Sequence, residues 1–195
     1  MKLLPLQIHQ GLQPAQLQRA AQLYFDAFRR QISPILGAEA HAIAFLRQAI
    51  NPQNALTALH DGKMIGLAGL QYGSQQFLQL PLPLFTRNFG WLLGRMRFQQ
   101  AVLFEQPLQA GQLQIDSLAV DPTMRGQGVG TWLINAVVEF ASQKGFEAVR
   151  IQAPNTAPAF YHLCRRLGFN EVETQSWPAL SPFGITTFTT LLKTV

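Results

Sequence analysis

A chain of 195 residues is long enough for one well-buried core and too short for two ordinary domains, so its elements are read as one unit, residues 1–195. With 48% hydrophobic and 13% charged residues, and glycine and proline throughout, the composition excludes a disordered chain and a coiled coil. The formal charge of +5 comes from scattered lysines and arginines that never form a run, which points to a phosphate-bearing small molecule and not to nucleic acid or a membrane.

Leu3 to His9 alternates loosely like a strand, and Pro14 opens a helical pattern in which Leu17, Ala20 or Ala21, Tyr24 and Phe28 share one face. A second short helix is predicted over Glu39 to Ile50. The apolar runs Ala55 to His60 and Lys63 to Tyr72 flank Asp61-Gly62, a pair that tolerates the positive φ of a tight hairpin turn. Beyond Pro81 and Pro83, residues Phe85, Phe89, Leu92, Met96 and Leu103 fall at helical intervals among Arg87, Arg95 and Arg97. This predicts an inserted amphipathic helical segment near 84–106, lying over the sheet and shaping a partly apolar pocket. Gln112 to Val120 reads as a strand that feeds, through glycines, a helix carrying Val129, Leu133, Val137 and Phe140 and closing near Gly145. Further elements are a strand over Ala148 to Gln152, a helix over Pro158 to Leu167, and strands over Glu171 to Gln175 and Ile185 to Leu192. The order predicts a mixed α/β fold, a largely antiparallel sheet with one parallel crossover.

Cys164 is the only cysteine, so neither an internal disulfide nor a thiolate metal site is available, and a reducing compartment fits. Gln7, His9 and Gln10 interrupt the apolar start before a signal-peptide core or membrane span develops, which predicts a cytoplasmic protein. Histidines 9, 41, 60 and 162 have no metal-binding spacing, and no metal is expected.

The segment Val120-Asp121-Pro122-Thr123-Met124-Arg125-Gly126-Gln127-Gly128-Val129-Gly130 places glycines where a backbone must approach a ligand, ahead of a helix whose first N–H groups are free to hold an anion. Taken alone, such glycines also serve a plain strand-to-helix turn. A Walker loop would need Lys-Ser or Lys-Thr after Gly130, where Thr131-Trp132 stands. The dinucleotide fingerprint fails too, since Thr131 and Leu133 occupy the positions of its third glycine.

Arg125-x-x-Gly128-x-Gly130, behind the strand Ile115 to Val120 and before an amphipathic helix, resembles the acyl-CoA-binding motif of the GNAT N-acetyltransferase superfamily. Arg166-Leu167-Gly168-Phe169, closing the next helix, resembles that superfamily's K/R-L-G-F block at the usual distance. The resemblance implies a splayed, largely antiparallel sheet flanked by helices, with acetyl-CoA or another acyl-CoA as co-substrate. It implies that Arg125, Gly126, Gln127, Gly128, Val129, Gly130 and Thr131 hold the pyrophosphate. The backbone of Leu118, Ala119 and Val120 would pair with the pantetheine arm like an added strand. The activity implied is acyl transfer to an amine of a small molecule or peptide by a monomer or homodimer. The alternative is a catalytically weak acyl-CoA sensor or interaction module.

The superfamily's helix before L-G-F commonly carries an asparagine and a tyrosine that protonates the departing thiolate. Here Ala157 and Cys164 stand at those positions, while Asn155 lies two residues early and Tyr161 one turn before Cys164. Tyr161 is the first candidate for the acid and Asn155 for the cofactor contact. Cys164 is the second candidate acid, with a buried small hydrophobe as its other reading. Asp116, in the strand just before the cofactor segment, is the candidate base, since an amine must lose a proton to attack a thioester. Glu105 and Glu39 are outlying candidates for contacting the acceptor.

Overall fold

Asp61 and Gly62 both take positive φ, 49° and 73°, so a tight turn joins β2 (Ala55–His60) to β3 (Lys63–Gln71) as an antiparallel pair. A computed structural model describes this architecture over residues 6–105 and 107–195. The edge strand β1 (Gln7–Gln10) pairs with β2. Leu3 to Pro5, where that strand was expected to begin, lie outside the described residues, as does Gln106.

A 3-10 turn at Pro14–Gln16 leads into α1 (Leu17–Leu36), which runs a full two turns beyond Phe28 and loses helical geometry there, at φ −116° and ψ 19°. With α2 (Glu39–Ala49), α1 covers one face of the sheet, burying Leu23, Phe25, Phe45, Leu46 and Phe77. Full burial of side chains this large contributes about 1.5–3 kcal/mol each.

The predicted amphipathic segment is two helices, α3 (Leu82–Phe89) and α4 (Trp91–Val102), broken at Gly90 with φ 78°. They pack as a hairpin because Gly94 has no side chain: a Cβ there would lie 2.7 Å from Thr86 Cα. Phe85 and Ala101 face the core, whereas Trp91, Leu92 and Met96 are exposed, so the expected single apolar stripe is divided between two faces.

β4 (Gln112–Val120) follows antiparallel to β3 and pairs in parallel with β5 (Ala148–Pro154). The crossover between them is α5 (Val129–Gln143), whose Leu133, Ile134 and Val137 fill the second core on the opposite face with Leu113 and Ile151. α6 (Pro158–Arg166) then precedes β6 (Asn170–Ser176), a 3-10 stretch at Pro178–Phe183 and β7 (Thr187–Thr194). The seven strands run β1-β2-β3-β4-β5-β7-β6, antiparallel except for β4 with β5.

Candidate active site

β4 and β5 pair only from Gln112 opposite Ala148 to Ile115 opposite Ile151, although β4 continues to Val120 and β5 to Pro154. The two strands diverge beyond that point and leave one edge of β4 without a strand partner. A β-bulge sits at the divergence: Gly69 faces Ser117 and Leu70 faces Ile115, so Asp116 is the extra residue. Gly69 makes room for it, because a Cβ there would collide with Ser117 Oγ and lie 2.6 Å from the Phe77 ring.

The glycine segment closes the end of β4. Asp121 accepts hydrogen bonds from Thr123 N (2.8 Å) and Thr123 Oγ1 (2.6 Å), and pairs with Arg19 of α1. The Thr123 hydroxyl and then Arg19 hold the Asp121 carboxyl below the usual range. Gly126 and Gly128 take φ 76° and 88°, which L side chains rarely adopt. The first backbone bond of α5 runs from Trp132 N to Gly128 O, 3.0 Å. The N–H groups of Val129, Gly130 and Thr131 ahead of it therefore have no intrahelical acceptor and carry the positive end of the dipole. Arg125 donates from Nε to the Val120 carbonyl (3.2 Å), and Gln127 to that of Thr123 (3.0 Å), so both side chains brace the loop.

Two cavities open on the sheet beneath α1. One, of about 510 Å³, lies along the splay and is lined by Arg29, Arg30, Ser117, Leu118, Ala157 and Phe160 among others. The other, of about 200 Å³, is enclosed by apolar side chains from α1, α2, α3 and the sheet. They share Phe28, Gln31, Ile115, Asp116, Gln152 and Pro154, so Asp116 stands where the two meet.

Asp116 is an exposed residue where the two cavities meet, but the surrounding fold partly buries its carboxyl from bulk water. That burial, reinforced by the Glu105 carboxylate, lifts its pKa to about 6. Burial and the charge of Asp116 likewise raise the pKa of Tyr24, whose ring lies 4.6 Å from that of Phe28. Gln114 is buried in the wall of the smaller cavity; it donates to Gln71 (3.2 Å), and its Oε1 has no partner. Ser117 Oγ in the larger cavity is also buried without a partner.

Three expected site residues lie elsewhere. Tyr161 lines neither cavity: its hydroxyl donates to Glu171 Oε2 on β6, 2.8 Å away, and this bond raises its pKa. Cys164 is fully buried in the second core, and burial pushes its thiol up to about 12. Asn155 uses its carboxamide oxygen to accept from Thr186 N (2.9 Å) and Thr187 N (3.3 Å), tying the end of β5 to β7. The groove side of α6 is presented by Phe160 and by Leu163, which lies 3.5 Å from a Cβ built at Gly130. Glu39 is bound by Arg29 (2.8 Å) and by Gln22. Tyr24, Gln114 and Ser117 had no local signal, since each occupies an ordinary core position in its helix or strand.

Solved structures that superpose on this chain include acetyltransferases. An N-acetyltransferase from Staphylococcus aureus Mu50 superposes with a TM-score of 0.70 at 15% identity, covering 96% of this chain and 100% of its own. The PaiA N-acetyltransferase from Thermoplasma acidophilum, solved in complex with coenzyme A, gives 0.59 at 11% identity over 98% and 100%. A segment of 60 residues is 37% identical to an uncharacterized N-acetyltransferase from Methanocaldococcus jannaschii, covering 31% of this chain and 26% of that relative's length. Residues 17–169 match the acetyltransferase (GNAT) family, and the chain belongs to it. Among the described residues no group of three or more His, Cys, Asp or Glu is arranged to hold a metal ion, and no helix is long and apolar enough to cross a membrane.

Proposed function

We propose that this acetyltransferase moves an acyl group from acyl-CoA to a primary amine by direct attack, with both substrates bound together. The observation that carries the reading is the meeting of two cavities at Asp116, one along the splay of β4 from β5, the other walled mainly by apolar side chains. In it, the N–H groups of Val129, Gly130 and Thr131 bind the pyrophosphate, and the unpaired edge of β4 from Leu118 to Val120 takes the pantetheine arm as an added strand. That a Thermoplasma acetyltransferase of this fold was solved in complex with coenzyme A supports CoA as the carrier.

Asp116, or water ordered by it, accepts a proton as the amine nitrogen bonds to the thioester carbonyl carbon. The C–S bond then breaks and the thiolate leaves. With Tyr161 held by Glu171 and Cys164 enclosed, its proton comes from solvent. A thiol with a pKa of about 8.5 departs without a dedicated acid.

Thermal unfolding with and without acetyl-CoA tests the cofactor. At a hundred times its Kd, a ligand stabilises the native state by about 2.7 kcal/mol. Gly126→Asp should abolish the shift: nothing lies within 4 Å of a Cβ there, aspartate tolerates the positive φ, and its charge opposes a pyrophosphate. No shift with either CoA or acetyl-CoA would refute the reading. The apolar groove side of α6 favours one second reading, a weak acyl-CoA sensor, which a shift without turnover of any amine would establish.

A further inference from the structure

The smaller cavity is chemically one-sided. Phe28, Ile32, Leu46, Leu80, Phe85 and Phe188 contribute apolar walls, and among the described residues no lysine or arginine lines it. Among the described residues its charged lining group is Asp116. Gln114, two residues before Asp116 on β4, adds an amide oxygen that is buried without a partner. A buried acceptor without a donor costs about 1–3 kcal/mol, so a ligand that supplies one binds the more tightly.

We infer that this cavity selects the acceptor, and that the acceptor is a compact primary amine with an apolar body and neither a carboxylate nor a second cation. The inference rests on the acyltransfer reading above. A primary amine has N–H groups for both Asp116 and Gln114, which stand two residues apart on β4 and line the same cavity. Its apolar body displaces water from the walls. The carboxylate of an amino acid would enter a cavity with no cation among its described lining residues and with Asp116 to repel it. The distal ammonium of a polyamine would be buried against phenylalanine and leucine, unpaired.

Binding of 2-phenylethylamine, phenylalanine and spermidine would be measured by ligand-observed NMR without any CoA species, in the wild-type protein, Leu80→Trp and Gln114→Leu. Leu80 is half-buried, so the larger ring fills the cavity from its rim without replacing a core side chain. The expected result is binding of 2-phenylethylamine about tenfold or more tighter than of the other two. That binding should be lost in Leu80→Trp and weakened in Gln114→Leu, with both variants keeping the thermal shift from acetyl-CoA.

Equal or tighter binding of spermidine or phenylalanine, or unchanged 2-phenylethylamine binding in Leu80→Trp, would overturn the inference while leaving the acetyl-CoA shift intact. Octanoyl-CoA displacing 2-phenylethylamine, with acetyl-CoA failing to do so, would assign the cavity to a long acyl chain and overturn it as well. Absence of the acetyl-CoA shift in wild-type protein would refute the transfer reaction instead, a result separable from the amine measurement.

Discussion

Replacing Asp116 with asparagine keeps the shape of the side chain and removes its ability to take a proton. With a pKa of about 6, the wild-type carboxyl is about nine-tenths ionised at pH 7 and about one-tenth ionised at pH 5. An acceptor with a pKa near 10.4 is neutral in roughly one molecule in 2,500 at pH 7, so removal of its proton is part of the barrier. Such a base contributes about 10²–10⁴-fold. Asp116→Asn should therefore lower kcat/KM for a strongly basic amine by about 10²-fold or more, and hardly at all for a weakly basic amine already neutral at pH 7. Initial rates of CoA release from pH 5 to 9 would show the wild-type limb near pH 6 vanish in the variant. Stability should move the opposite way. Because the folded-state pKa is above the ordinary value of 3.8, ionising Asp116 opposes folding, an effect absent below about pH 4 and complete above about pH 6. The variant's Tm should exceed that of wild type at pH 7.5 and converge with it below pH 4. Equal losses with both amines, or an unchanged pH limb, would refute the assignment of Asp116 as base.

Tyr161→Phe removes the hydroxyl bonded to Glu171 at an exposed position and should lower stability only slightly, read by denaturant unfolding, with kcat changed less than about threefold. A 100-fold loss of kcat would return Tyr161 to the role of acid. The Cys164 thiol, buried and pushed up to about 12, should resist thiol reagents at pH 8 in the native protein and react at once after unfolding. Labelling followed by mass spectrometry reads both states.

How much was legible follows from where each signal resides. The Asp61-Gly62 turn and the loop around Gly126 and Gly128 were readable because backbone dihedrals confine the choice of residue locally. The divergence of β4 from β5 was an expectation of the resemblance, and the pairing that stops at Ile115 reproduces it. The break at Gly90 was missed because the apolar spacing carries on across it, and helical periodicity alone does not report a change of axis. α6 gave the hardest case. Tyr161 and Cys164 lie one turn apart, yet Cys164 enters the core and the tyrosine hydroxyl turns to Glu171, a partner set by the position of β6. The smaller cavity was beyond reach for a related reason: Tyr24 comes from α1, Gln114 from β4 and Phe188 from β7, and only tertiary packing makes them neighbours.

The order β5-β7-β6 has a consequence for biosynthesis. β7 is made after β6 but lies between β6 and β5, so β6 has no strand to join until Thr187–Thr194 has emerged. During translation the hairpin of β2 and β3 can form early, while the far wall of the groove, including the Asn155 tie to Thr186 and Thr187, waits for the last strand. A ribosome-bound chain halted before β7 would present the β5 edge and the polar β6 unpaired. Holdase chaperones should therefore act on the chain between the emergence of β6 and that of β7.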